Sequence, residues 1–199
     1  MMEGQSSPQG RRERLAASDT PARRILGLQK RLRDLKEGAA KGAEWQGDFA
    51  AFCRDWVWTQ DEARGGQVAR MPDWAYLREI DDAAMEEDLL LIEKSRRVLA
   101  TWRVSALDLW VAAGGQDSRW PALMRSTENR QVILAARREQ KLAGATYFLR
   151  ERVKFIYDQA IARGIQQAWP MFPTFTWTFT EGRGSNGARI NAVASGEDQ

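Results

Sequence analysis

Residues 88–102, DLLLIEKSRRVLATW, set the cations Lys94, Arg96 and Arg97 and the hydroxyls Ser95 and Thr101 between an apolar run and the start of a helical pattern. A turn fed by a buried strand, with its N–H groups pointing inward and a helix N-terminus behind it, is the geometry that holds phosphate. The usual phosphate-loop signature is G-x-x-x-x-G-K-[ST], whose lysine reaches the terminal phosphates and whose hydroxyl binds magnesium. With Thr101 at the hydroxyl position, Lys94 stands at the first glycine, Leu99 at the second and Ala100 at the lysine. On spacing alone the match is weak, and an ordinary βα turn carrying surface arginines is the plain alternative. Charge is what points to an anion, because a buried strand rarely delivers so much positive charge into a tight turn without a receiver for it. Lys94, at the mouth of the loop, could do from upstream what the usual lysine does from the helix start.

Composition narrows the remaining chemistry. The 199 residues include no histidine and a single cysteine, Cys53, which excludes a histidine-based triad, a zinc cluster and an internal disulfide. Carboxylates, hydroxyls, lysine, arginine and backbone are left. The formal charge of +3 is compatible with a polyanionic partner but too small to argue for one. Apolar runs such as Leu89–Ile92 are far too short to span a bilayer, and the start, MMEGQSSPQGRRER, is polar and basic. A cytosolic protein with no membrane partner is the expectation. Nine tryptophans are many for this length, and core packing is their expected role.

The elements that must position the loop follow from periodicity. Residues 1–19 lack any period and read as a mobile basic arm. Thr20-Pro21 resembles an N-cap followed by a first-turn proline, and Ile25, Leu28, Leu32 and Leu35 continue at helical spacing. A surface helix packed by this one stripe is favoured over a DNA or partner contact. A second helix is expected from Glu44 to about Trp58, with Trp45, Phe49, Phe52 and Trp56 on one face. DEARGG reads as a loop, and Pro72 opens a third helix carrying Trp74, Leu77 and Ile80. The acids Asp81, Asp82, Glu86, Glu87 and Asp88 read as that helix's solvated face and end.

From residue 88 the pattern becomes strand, helix, strand, helix. Leu89–Ile92 and Gln131–Ala136 read as strands covered on both faces, Trp102–Ala113 as a deeply buried helix, and Leu142 to Gly164 as a long amphipathic one. Such alternation implies an α/β fold with a parallel sheet. TFTWTFT, residues 174–180, alternates with Phe175, Trp177 and Phe179 on one face. A glycine-rich turn, EGRGSNG, then leads into ARINAVA, giving a hairpin or adjacent antiparallel strands.

Several of these segments resemble one family. LLLIEKSRRVLATW is similar to the nucleotide-binding loop of the large subunit of phage terminases, the motors that package DNA into procapsids. A subset of that family carries K-S-R-x-x-x-x-[ST]-W, which Lys94, Ser95, Arg96, Thr101 and Trp102 match in place. MPDWAYLREI resembles the family's segment before the first strand, SALDLW its post-loop helix, and QVILAARREQKLAG the strand and helix bearing an S-[KR]-[KR]-E type motif, with Ala136 where serine is commoner. NGARINAVASGEDQ resembles the stretch around a G-S-x-I. The likeness runs over roughly residues 70–199.

The resemblance implies an incomplete P-loop NTPase-like parallel core at residues 71–199, preceded by a helical region at 20–70. It implies ATP and magnesium as cofactors. Lys94, Arg96 and Arg97 would bind phosphates, N–H groups from Arg96 through Ala100 to Thr101 would cradle them, and Thr101 would ligate the metal. Tyr76 is a candidate for stacking on the base, although core packing is the favoured role. Arg137 or Arg138 is a possible sensor of nucleotide or of a neighbouring subunit, with a solvated helix start as an equal alternative. The family's catalytic Asp-Glu pair ends an apolar strand, and Glu197-Asp198, which follows VASG, is a poor substitute. The pair is expected beyond Gln199, so this chain alone is expected not to hydrolyse ATP. Implied partners are double-stranded phage DNA, the portal protein, the terminase small subunit and further copies in a homo-oligomeric motor, at the procapsid portal in the host cytoplasm. Two alternatives stand beside this reading: a non-hydrolysing assembly module or prophage remnant, and another P-loop translocase or helicase.

Overall fold

Pro21 begins a helix, as its fixed φ favours at a first helical position. The computed structural model describes residues 21–61, 65–87, 90, 92, 99–120, 126–139 and 142–195; the expected arm at 1–19 lies outside them. Helix α1 (Pro21–Gly47) runs without a break past the point where a second helix was expected to start. Asp48 then caps α2 (Phe49–Trp56): its backbone is extended, and its carboxylate accepts the N–H of Ala51 at 3.1 Å. The expected Trp45, Phe49, Phe52 and Trp56 face is therefore shared between two helices. Ile25, Leu28 and Leu32 depart from the packed stripe that was expected, because they stand 54%, 63% and 58% exposed.

The DEARGG segment connects a hairpin that periodicity did not reveal, β1 (Trp58–Asp61) antiparallel to β2 (Gln67–Arg70). Gly65 and Gly66 supply the positive φ angles of its turn. Helix α3 (Ala75–Glu86) follows the Pro72 segment. Its acidic run is not uniformly solvated: Asp82 and Glu86 bind Arg119 at 3.2 and 3.1 Å, and Asp81 is buried. Helix α4 (Ala100–Ala112) is apolar nearly all round and largely buried, as expected.

The main sheet has five strands in the order β4-β3-β7-β6-β5. β3 (Gln131–Glu139) lies parallel to β7 (Arg189–Ser195), with Val132 opposite Ile190 and Leu134 opposite Ala192. β4 (Leu142–Ala143), β6 (Glu181–Gly184) and β5 (Phe175–Trp177) add antiparallel pairings. The fold is thus mixed α/β. Of the expected Leu89–Ile92 strand, Leu90 and Ile92 are described and carry no regular structure; the rest lies outside the described residues.

Three local findings differ from expectation. Over residues 131–135 β3 is covered on one face: Val132 and Leu134 pack on the core, whereas Ile133 is 65% exposed. An apolar run does not by itself distinguish one covered face from two. The long helix after β3 contains a wide turn, so that α5 (Gly144–Phe148), a π-helical segment (Leu149–Lys154) and α6 (Phe155–Ala162) follow in series. Finally, the first half of EGRGSNG is strand rather than turn, because Gly182 passes directly under Trp177, whose ring lies 2.5 Å from where a Cβ would stand. A short helix, α7 (Ile165–Ala168), completes the fold.

One core joins Trp45, Phe52, Leu109, Trp110, Val153 and Ile190, so the end of α1, α2, α4, the π segment and the sheet bury their apolar faces together. Of the tryptophans, Trp45, Trp102, Trp110 and Trp169 are buried, while Trp74 is exposed. Core packing accounts for most of this residue type but not for all of it.

Candidate functional site

Helix α4 is held firmly at its carboxyl end. Trp110 Nε1 donates to the Trp45 carbonyl at 2.6 Å, and Asn186 Nδ2 to the Ala112 carbonyl at 2.9 Å. Arg130 Nη1 donates to the carbonyl of Val111 at 2.9 Å and to that of Gly115, and Gln46 Nε2 to that of Gly114 at 3.1 Å. A cation on the last carbonyls is also favoured by the helix dipole. Burial lowers the pKa of Arg130, but the usual guanidinium value lies so far above neutrality that the charge persists.

One turn in from its amino end, the helix is clamped to α3. Arg103 Nε donates to Asp81 Oδ1 at 2.7 Å, and Nη2 donates to the other carboxylate oxygen. Both side chains are buried, with Arg103 Nη1 3.4 Å from Met71 Sδ and the guanidinium 5.0 Å from the Phe49 ring centroid. Burial pushes the Asp81 carboxyl up, and the Arg103 fork offsets that only in part. Burial likewise pushes the nearby Cys53 thiol well above its usual range.

The opposite end is built differently. Leu99 enters α4 in the left-handed conformation, φ 57° and ψ −2°, and no side chain of this N-cap residue bonds the first turn. Its carbonyl accepts the Arg103 N–H at 3.0 Å. Ala100 is buried and Thr101 half-buried in that turn. Left-handed backbone is ordinary for glycine but costs a leucine roughly 1–2 kcal/mol. Leu99 holds this conformation at the position where the phosphate-loop signature places its second glycine.

Trp102, the next residue, is buried with Phe155 edge-on at 5.5 Å and the Arg152 guanidinium 4.1 Å from its ring centroid. Arg152 comes from the π segment and also lies 5.6 Å from the Tyr147 ring centroid. Helical side chains lean toward the N-terminus, so this stack sits at the amino-terminal end of α4. The guanidinium therefore brings positive charge to the positive end of the helix dipole. Sequence reading missed Arg152 because it falls inside an amphipathic pattern, and no residue type announces a π turn.

Of the residues singled out by sequence, Ala100 and Thr101 share the first turn of α4, whereas Lys94, Ser95, Arg96 and Arg97 lie outside the described residues. Arg137 and Arg138 lie in β3, paired with Ser195 of β7 and Ala143 of β4 near the carboxyl end of the parallel pair, where ligands of open α/β sheets bind; their side chains lie outside the described residues. Tyr76 is not core-packed: it is partly exposed and tilts against Trp74 at 5.7 Å on α3.

Asp108 lies two turns beyond Thr101 on the same side of α4. One of its carboxylate oxygens is buried with no hydrogen-bond partner, and burial pushes its pKa up to about 7. Among the described residues no group of three or more His, Cys, Asp or Glu is arranged to hold a metal ion, and no helix is long and apolar enough to cross a membrane. No protein-family model matches the chain, and no curated protein matches it.

Proposed function

We propose that the chain binds the phosphates of ATP at the loop leading into α4, as the amino-terminal portion of a packaging motor of the terminase large-subunit kind. The observation that carries this reading is Leu99: a strained left-handed residue immediately before a helix terminus that its own side chain does not cap. Strain of this kind persists where the surrounding structure requires it, and such positions cluster at ligand sites. The firm carboxyl-end anchoring of α4 supports the same reading, since a fixed helix aims its N-terminus at a fixed point.

In this proposal Lys94, Arg96 and Arg97 neutralise phosphate charge, the N–H groups up to Thr101 cradle the phosphates, and the Thr101 hydroxyl holds magnesium. Magnesium, when bound, would withdraw charge from the phosphate oxygens. The Trp102–Arg152 stack would add positive potential behind the helix start. Hydrolysis and DNA translocation would belong to a complete motor that also supplies the acidic pair. Calorimetry with magnesium-ATP tests the proposal: Lys94→Ala and Thr101→Ala should each weaken binding roughly tenfold or more. Equal affinity in the parent and both variants, or no binding by the parent, would overturn it.

The second reading, a non-hydrolysing assembly module, is favoured by a different observation: the exposed apolar stripe of α1. Pull-down of a partner with no dependence on ATP would support it.

A further inference from the structure

Helix α1 has an amino-terminal half that touches little of the body. All residues from Ile25 to Arg33 are exposed, on every side of the helix. Isolated helices are marginal in water, and most helical stability comes from a packed apolar face. This stretch has such a face and leaves it uncovered: Ile25, Leu28 and Leu32 follow one another at spacings of three and four, and by sequence Leu35 is next. Those are alternating a and d positions of a heptad, with isoleucine at the first a and leucine at both d positions, the narrow seam of a coiled coil.

The flanking positions decide what fits. With Ile25 at a, the g positions are Arg24 and Arg31 and the e positions Gln29 and Lys36. A second copy in parallel would set Arg31 against Lys36, and an antiparallel copy would set Arg31 against Arg31. Like charges at these positions disfavour self-pairing, and acids opposite them favour a heterologous partner. From Pro21 to Gly38 the helix carries six basic residues against two acidic ones, so attraction to an acidic surface extends beyond the seam itself. An anionic bilayer fits less well, because between Ile25 and Arg33 Leu26 is the one large apolar residue exposed off the seam, and no aromatic residue lies from Ile25 to Leu35.

We infer that the exposed stripe of α1 is a docking seam for an amphipathic helix of another protein, one with leucine-type a and d positions and glutamate or aspartate at e and g. The seam from Ile25 to Leu35 is about 16 Å long at 1.5 Å per residue. So short a seam makes a reversible contact rather than a permanent one. This inference is independent of the nucleotide reading, since it concerns a different element and needs no ATP.

The test uses the full chain and three probes: a synthetic heptad helix with Leu at a and d and Glu at e and g, the same helix with Lys at e and g, and phosphatidylserine vesicles. The acidic helix should bind, and the basic helix should not. Leu28→Ala with Leu32→Ala should weaken the acidic complex roughly tenfold or more, with circular dichroism checking that the fold is kept. Arg31→Glu with Lys36→Glu should move preference toward the basic helix. Failure to bind the acidic helix, binding of both helices alike, vesicle binding as tight as helix binding, or a homodimer that the leucine variants abolish would each overturn the inference.

Discussion

A left-handed backbone at a leucine has to be held by its surroundings, and at Leu99 it stands where glycine would cost least. This gives a stability order opposite to that of a helix interior. Leu99→Gly and Leu99→Ala both lose the half-buried side chain, but only alanine keeps a Cβ at φ 57°. Urea denaturation should find the glycine variant more stable than the alanine variant by about 1 kcal/mol. The reverse order would mean that the left-handed entry does not exist in solution. Asp108 offers a second residue-scale test. Burial pushes its carboxyl up to about 7 from the ordinary 3.8, so between those values the native state holds a proton that the unfolded state has lost. That contribution is complete at low pH, falls as pH rises through the window between the two values, and is flat above it. Asp108→Asn keeps the shape without the charge. Its stability relative to the parent should therefore rise between pH 4 and pH 8, by up to about 4 kcal/mol. A difference that does not change with pH would show that Asp108 is hydrated.

At the scale of elements, the α3–α4 clamp decides how rigidly the loop is presented. Asp81→Ala leaves Arg103 buried without its carboxylate and should cost about 3–5 kcal/mol in denaturant unfolding. Asp81→Leu combined with Arg103→Met should recover most of that loss. If the double variant is no better than the single one, the two side chains do not act as a pair. The clamp also marks the limit of what periodicity conveyed. Helix α4 was legible from its apolar composition, and α3 from Pro72 onward; the spacing also set Asp81 on the buried stripe of α3, four residues from both Leu77 and Met85, but its charge led it to be read with the solvated acids beside it. The break at Asp48 was legible in principle, since aspartate before an apolar helical run is an N-cap signal. It was missed because the Trp45, Phe49 and Phe52 spacing continues smoothly across it. The hairpin of β1 and β2 escaped because four-residue strands carry almost no period, and Gly-Gly alone does not separate a hairpin turn from a loop. β6 escaped because glycine suggests a turn, whereas Gly182 is there to admit an indole ring.

On the scale of the molecule, the class α/β was legible, because the apolar run at Gln131–Ala136 stands between the helical patterns that became α4 and the long helix after β3. Long-range partnership was not. That β3 has β7 beside it in parallel register depends on a connection running through the long helix and two antiparallel strands, and pairing at that separation leaves no local trace. The candidate site was half legible: its loop and its Thr101 came from the sequence, whereas Leu99's strain and Arg152's approach to Trp102 are facts of backbone and packing. The shared core also gives the chain an internal clock. Cys53, the sole cysteine, is fully buried in α2 against the side of the core that Arg103 occupies. A thiol reagent can reach it only when α2 lifts away, so labelling speed records how often that layer opens without any foreign probe being introduced. A ligand gripped at the amino end of α4, one turn from Arg103, would slow that clock if the whole core moves as one body, and leave it unchanged if α2 opens by itself.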